Sequence, residues 1–234
     1  MKKIMLLLTF SLFIAGCTRS AQTPITTPPS VGPTKILESG LPDKHLIETA
    51  FIPQAPEKNW DQPWQDACEE ASLLTVDYYY KNITPTTSEL IKQYQLLFDY
   101  EKSQEYTHDI NLLQMAIVGQ FFLNYKTQII SDPTLDQIKT YLSKDIPVII
   151  TANGKTLFKE NKRFKNGGPW YHSLVILGYD DDRQQFTVHD VGTQFGAYFK
   201  YSYRLLMESI HDFPSSSKKE DINTGDKSIL ILLK

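Results

Sequence analysis

The chain has 234 residues with a formal net charge of −3, 41% hydrophobic residues and two cysteines. That balance offers no basic stripe of the kind a nucleic-acid surface requires, so nucleic acid is excluded as an expected partner. The cysteines, Cys17 and Cys68, fall in different parts of the chain, and with one of them closing an export signal no disulfide can form within the folded domain.

The signal comes first. Met1, Lys2 and Lys3 form a short positive segment, and Ile4 to Phe13 is an apolar run too short to span a membrane as a helix. It ends in Ile14-Ala15-Gly16-Cys17, which resembles the bacterial lipoprotein box. That resemblance implies removal of residues 1–16, diacylation of Cys17 and anchoring to a membrane surface with the domain outside the cytoplasm. Residues 17–45 then carry Pro24, Pro28, Pro29, Pro33 and Pro42 among Thr, Ser and Gly. Such a segment buries too little apolar surface to offset its ordering entropy and reads as a tether. Residues 46–234 have the size of one domain with a single core.

Within that domain Thr49 to Ile52 reads as a short strand, and Pro53 to Pro63 as turns. Ala71, Leu74 and Tyr78 recur at helical spacing, so Cys68 falls at a helix start, with Asp66 as its expected N-cap and Glu69 and Glu70 in its first turn. Thr86-x-x-Glu89 matches a capping box and opens a second helix. A third is expected near Asp109, with Ile110 to Phe122 largely buried, and a fourth over Leu135–Leu142. The period then changes to that of strands. Pro147–Thr151, Ser173–Tyr179, Gln185–Val191 and Ser228–Leu233 are the candidates, and Asp180-Asp181-Asp182-Arg183 is the turn of a hairpin. Helices followed by an antiparallel sheet predict an α+β fold.

The hairpin brings two distant residues together. His172 lies about nine residues before its centre and Asp190 about eight after, so antiparallel pairing predicts a His–Asp contact. With Cys68 at a helix N-terminus this is a nucleophile, base and orienter set: helix dipole and imidazolium favour the thiolate, and the carboxylate fixes the imidazole tautomer. Asp66, Glu69 and Glu70 oppose it, because nearby negative charge disfavours a second anion. Those three side chains have to point away from the sulfur if Cys68 is to be a good nucleophile. An oxyanion needs donors as well, and Gln54, Gln62 and Gln65 precede the cysteine. His189, next to Asp190, must face the other side of its strand and reads as structural. Asp180 competes with Asp190 as orienter but has the poorer register. His45, His108 and His211 lack metal-ligand spacing, so neither metal nor cofactor is expected. Trp60, Trp64, Trp170 and Tyr171 are core residues or, around a cleft, the lining of a substrate groove.

Ile52-Pro53-Gln54-Ala55-Pro56, Asn59-Trp60, Gln65-Asp66-Ala67-Cys68-Glu69-Glu70-Ala71-Ser72, Gly168-Pro169-Trp170-Tyr171-His172-Ser173 through Tyr179, and His189-Asp190-Val191-Gly192-Thr193 together resemble the bacteriocin-processing-peptidase-like cysteine peptidases of the papain-like superfamily. The resemblance runs from about Ile52 to Asp212. It implies a papain-like fold and hydrolysis of an amide bond, most naturally in a peptide or protein, through an acyl-enzyme. Cys68 would be nucleophile, His172 general base and then acid, and Asp190 the orienting carboxylate, with Gln54 or Gln65 completing the oxyanion hole. Two positions depart from the family's pattern. Relatives commonly carry Cys-Gly where this chain has Cys68-Glu69, and their oxyanion glutamine lies nearer the cysteine than Gln54 does. A non-catalytic groove for peptide or cell-wall material, or transfer of the acyl group to an amine, are the rival expectations. The sequence is silent on oligomeric state.

Overall fold

The structure, a computed structural model, describes residues 40–234. The signal, Cys17 and the proline-rich part of the tether lie outside the described residues. Among the described residues, seven antiparallel strands form one sheet in the order β2-β7-β3-β4-β5-β6, with β1 beside β4. They are β1 (Lys44–Leu46), β2 (Lys126–Ser131), β3 (Val148–Asn153), β4 (Tyr171–Asp180), β5 (Gln185–His189), β6 (Phe199–Ser202) and β7 (Ser228–Leu233). The helices are α1 (Cys68–Lys81), α2 (Thr87–Ser103), α3 (Leu112–Ile117), α4 (Leu135–Leu142), α5 (Gly154–Leu157) and α6 (Tyr203–Ser209). The expected α+β architecture, helices on an antiparallel sheet, is the one observed.

The burial pattern explains the sequence pattern. Every residue of β3 and all but the last of β4 are buried, which is why those strands read as continuous apolar runs rather than alternating ones. The edge strand β2 keeps Lys126 and Gln128 in solvent. Helix α1 is buried over Cys68–Tyr78 and packs on β4, where the Ser173 hydroxyl donates to the Ser72 hydroxyl at 2.9 Å. Ser72 in turn donates to the Cys68 carbonyl at 2.8 Å. The nucleophile candidate and the strand of the histidine are thus tied through a polar pair inside an apolar interface, and such a pair is stable there because each hydroxyl is satisfied.

Several expectations are corrected. The first strand is Lys44–Leu46, across the boundary between the stretch read as tether and the domain, and it pairs with Gly178–Asp180 of β4. Thr49 to Ile52 lies outside the ladder. Its Thr49 N–H and carbonyl are satisfied by the Tyr198 hydroxyl at 3.0 and 2.9 Å. Asp66 does not cap α1: the N-cap is Ala67 with no side-chain bond, and Asp66 belongs to a preceding 3-10 turn over Trp64–Asp66. The third helix, expected near Asp109, starts at Leu112, is capped by Asn111 with Gln114, and passes into a π-helical turn over Val118–Phe122. The capping box at Thr86 and Glu89 and the bounds of α4 and β7 are as expected.

Candidate active site

Cys68 is the first residue of α1, and its N–H is one of the orphan donors of a helix start, with no acceptor among the described residues. His172 is the second residue of β4, buried to 2% exposure, and Asp190 follows the end of β5 with no exposure at all. The histidine Nε2–H donates to Asp190 Oδ1 at 2.9 Å. The register that achieves this differs from the simple count. A bulge lies between Ile176 and Gly178, and Val175 faces His189, so continuing the ladder sets Leu174 opposite Asp190. His172 therefore meets the carboxylate diagonally, on the same strand face as residue 174.

Asp190 is held on its other side too. Its Oδ2 accepts from Tyr201 Oη at 2.6 Å and Asn161 Nδ2 at 2.8 Å. Burial alone would raise the carboxyl's pKa, but the His172 charge and bond, then the Tyr201 and Asn161 donors, outweigh it and hold the group below the ordinary carboxylate range. A carboxylate that accepts from Nε2 places the imidazole proton there and leaves Nδ1 free to take a proton. Two glycines make room for this arrangement. A Cβ on Gly192 would lie 2.6 Å from His172 Cε1, and one on Gly196 only 1.7 Å from the Asp190 carbonyl oxygen. Phe164 closes edge-on over the imidazole at 5.3 Å between ring centres.

The sulfur is less simply placed. Cys68 is 4% exposed, and its Sγ accepts from the Ser173 N–H at 3.3 Å and donates to Glu69 Oε2 at 3.0 Å. No hydrogen bond joins it to His172. Glu69 is fully buried, with Oε1 accepting from the Ile110 N–H at 3.2 Å. The condition that all three acidic side chains point away from the sulfur is thus not met by Glu69. Asp66 is engaged elsewhere, accepting from Gln62 at 2.6 Å and lying 3.4 Å from Lys219. Burial first, then the Glu69 charge and bond, push the thiol well above its ordinary pKa, and the Ser173 N–H pulls it down.

Of the glutamines, Gln54 is buried, its own N–H bonded to the Val191 carbonyl at 3.1 Å. Its Nε2 donates to the carbonyls of Trp64 and Gln65 at 2.9 and 2.7 Å, which fills both amide hydrogens. Gln65 is exposed and its side chain makes no hydrogen bond among the described residues. Both line the same cleft as Cys68 and His172, a cavity of about 540 Å³ also walled by Trp60, Trp170 and Tyr171. Trp64 instead packs in the core against Tyr94 and Phe98. Asp180 lies at the far end of β4, 3.5 Å from Lys44, and has no part in the site. His189 faces away from Asp190, edge-on to Phe51 and Tyr198.

The Peptidase_C39 like family model matches residues 47–214, well over half of the chain. The chain belongs to that family. Among solved structures, a Bacillus anthracis protein described as a C39-like peptidase shares 15% identity over 82% of this chain and 98% of that one, with a TM-score of 0.49. Xylellain, a cysteine protease from Xylella fastidiosa, shares 13% identity over 87% of this chain and 90% of that one, with a TM-score of 0.51. The likeness to xylellain is one of fold. No curated protein sequence matches the chain.

A C39-like cysteine peptidase acts on peptide or protein, and the papain-type fold has its cleft between the helix that starts at the cysteine and the sheet that carries the histidine. Sequence reasoning missed three contributors to that cleft. Asn161 and Tyr201 anchor Asp190 from positions 29 and 11 residues away, and the Ser173 backbone N–H faces the sulfur across 105 residues of chain. Tyr201 is a fully buried phenol whose hydroxyl needs a partner, and that burial shows only in the folded chain.

Proposed function

We propose that this C39-like peptidase is exported, anchored through Cys17 by lipid, and cleaves a peptide bond through an acyl-enzyme on Cys68. The observation that carries the reading is the buried His172–Asp190 pair, braced by Asn161 and Tyr201 and opening on the cleft that also holds Cys68. In the first step the thiol proton moves to His172 Nδ1 and the sulfur electron pair forms the S–C bond to the scissile carbonyl. The carbonyl oxygen, now negative, is met by the Cys68 N–H and a glutamine amide. Gln65 suits that part best, since Gln54 is already engaged by the Trp64 and Gln65 carbonyls and acts by fixing that segment. His172 then returns the proton to the leaving amine, and water takes its place for deacylation.

The test is digestion of a peptide library by the wild type and by Cys68→Ala, read by mass spectrometry, with fatty-acid labelling of the full-length chain and of Cys17→Ala in a bacterial host. Cleavage that vanishes in Cys68→Ala, and label that vanishes in Cys17→Ala, are expected. Equal cleavage by Cys68→Ala would sink the nucleophile assignment, and equal labelling of Cys17→Ala the anchor. The contact between Glu69 and the sulfur favours a second reading, a groove that binds peptide without cutting it. That reading predicts saturable peptide binding, unchanged in Cys68→Ala, with no cleavage product.

A further inference from the structure

Glu69 occupies the position after the nucleophile, and the structure gives its carboxyl no contact with solvent and two hydrogen-bond partners: the Cys68 thiol at 3.0 Å through Oε2 and the Ile110 N–H at 3.2 Å through Oε1. A side chain fixed at both oxygens is not a solvated charge that happens to pass the sulfur. Its second oxygen is locked to the segment leading into α3, so the first oxygen is aimed at the sulfur by the fold.

We infer that Glu69 is a positioning residue that sets the state of the Cys68 sulfur, an inference that rests on the assignment of Cys68 and His172 made above. In its ionised form Glu69 accepts the S–H and holds the sulfur as a thiol, turned from His172. In its protonated form it donates its O–H to the thiolate, while the former thiol proton sits on His172 Nδ1. The two states differ by one proton taken from water: carboxylate, thiol and imidazole on one side, carboxylic acid, thiolate and imidazolium on the other. The reactive state is the proton-rich one, so it is favoured as pH falls.

The surroundings push the same way. Close enough to Glu69 to act on it electrostatically are Asp109 from the segment before α3, Glu101 from α2, Glu70 from its own turn and Tyr171 from β4. The cation on this side, Lys219, is engaged 2.6 Å from Asp109 and 3.4 Å from Asp66. Burial and the Asp109 charge raise the Glu69 carboxyl well above its ordinary range, against the lowering pull of the Cys68 bond. With Asp109, Glu101 and Glu70 acting on it and Lys219 engaged by Asp109 and Asp66, the neutral form of Glu69 is the one that a thiolate can tolerate beside it.

The experiment measures the rate of Cys68 alkylation by iodoacetamide from about pH 5 to about pH 9, where a free thiol titrates, on folded wild type, Glu69→Gln and His172→Ala. The amide introduced by Glu69→Gln is a permanent donor. Near neutral pH the sulfur of that variant should react at least about tenfold faster than the wild type's, the effect of one pKa unit, and the fast reaction should persist to higher pH. A Glu69→Gln profile that overlies the wild type, or is slower, overturns the inference. An unchanged profile in His172→Ala instead removes the Cys–His assignment beneath it. A wild-type measurement covers the case in which Glu69→Gln does not fold. The S–H stretch in the infrared difference between wild type and Cys68→Ala should be broadened and shifted at neutral pH and should weaken on acidification. A band at the position of a free thiol throughout overturns the inference.

Discussion

Asp190→Asn should leave a folded protein whose peptide-bond cleavage falls by about 10⁴-fold, the scale seen when the orienting carboxylate of a catalytic triad is made neutral. The geometry says why so small a change costs so much. Asp190 accepts from three donors, His172 and, on its other oxygen, Asn161 and Tyr201, and an asparagine has only one oxygen. With its NH₂ toward His172, the ring must present a lone pair at Nε2 and carry its proton on Nδ1, the nitrogen that has to receive the thiol proton. With its NH₂ toward Asn161 and Tyr201, it meets the Asn161 NH₂ donor to donor in a site without water access. Asn161 cannot simply flip to relieve this, because its Oδ1 accepts from the Arg163 N–H at 3.1 Å. Either way one buried polar group is left unpaired, at a cost of about 1–3 kcal/mol. The checks are kcat/KM on a peptide substrate and the urea midpoint of the same preparation. A kcat/KM within tenfold of wild type would remove Asp190 from the orienting role.

How much of this was legible beforehand divides along a physical line. Features set by neighbours in sequence were readable: the Thr86–Glu89 capping box, the bounds of α4, the last strand, the position of Cys68 at a helix start. Each depends on contacts within one turn or on the side-chain period of one element. Features that need distant partners were not. Thr49 to Ile52 has the composition of a strand, but β4 offers its free edge to Lys44–Leu46 instead, and no propensity decides between two extended segments competing for one edge. Asp66 was a reasonable cap by type, yet Lys219, remote in sequence, lies 3.4 Å from it. The candidate site shows the same split. That Cys68 starts a helix and that His172 meets Asp190 can be read from spacing and motif. The bulge that makes the histidine meet the carboxylate diagonally, and the direction in which Glu69 points, follow only from packing.

Stability should be highest near pH 4.5 and decline above it, more steeply beyond about pH 6.5, because buried groups of opposite kind pull the profile from both sides. His189 has no hydrogen bond at either nitrogen, and burial lowers its pKa from 6.5 to about 4. Folding keeps it neutral, so its contribution is complete above pH 6.5 and is lost as pH falls toward 4; a shift of that size corresponds to about 3 kcal/mol. The carboxyls beside α1 run the other way. Burial raises Glu101 from 4.5 to about 7, and burial with the Glu101 and Glu69 charges raises Glu70 well above its ordinary range. Their stabilisation is complete below pH 4.5; that of Glu101 is lost as pH rises through about 7, and that of Glu70 as pH rises well above the ordinary carboxyl range. Between pH 4.5 and 6.5 one histidine opposes two carboxyls, so stability already declines; above that the histidine has no more to gain and the decline steepens while the carboxyls are still being forced to ionise. Glu101→Gln isolates the second limb, since it removes one forced charge and gives Glu70, whose Oε2 is unpaired, an N–H donor. At pH 8 the variant should melt higher than wild type by up to roughly 6–12 °C, the equivalent of about 3 kcal/mol for a chain of this size, and should equal it near pH 4.5. Thermal melts of both proteins across that range decide the matter: parallel curves would mean that the Glu70–Glu101 pair stays ionised in the fold, and the acid cluster beside the cysteine would then have to be neutralised by something other than protons.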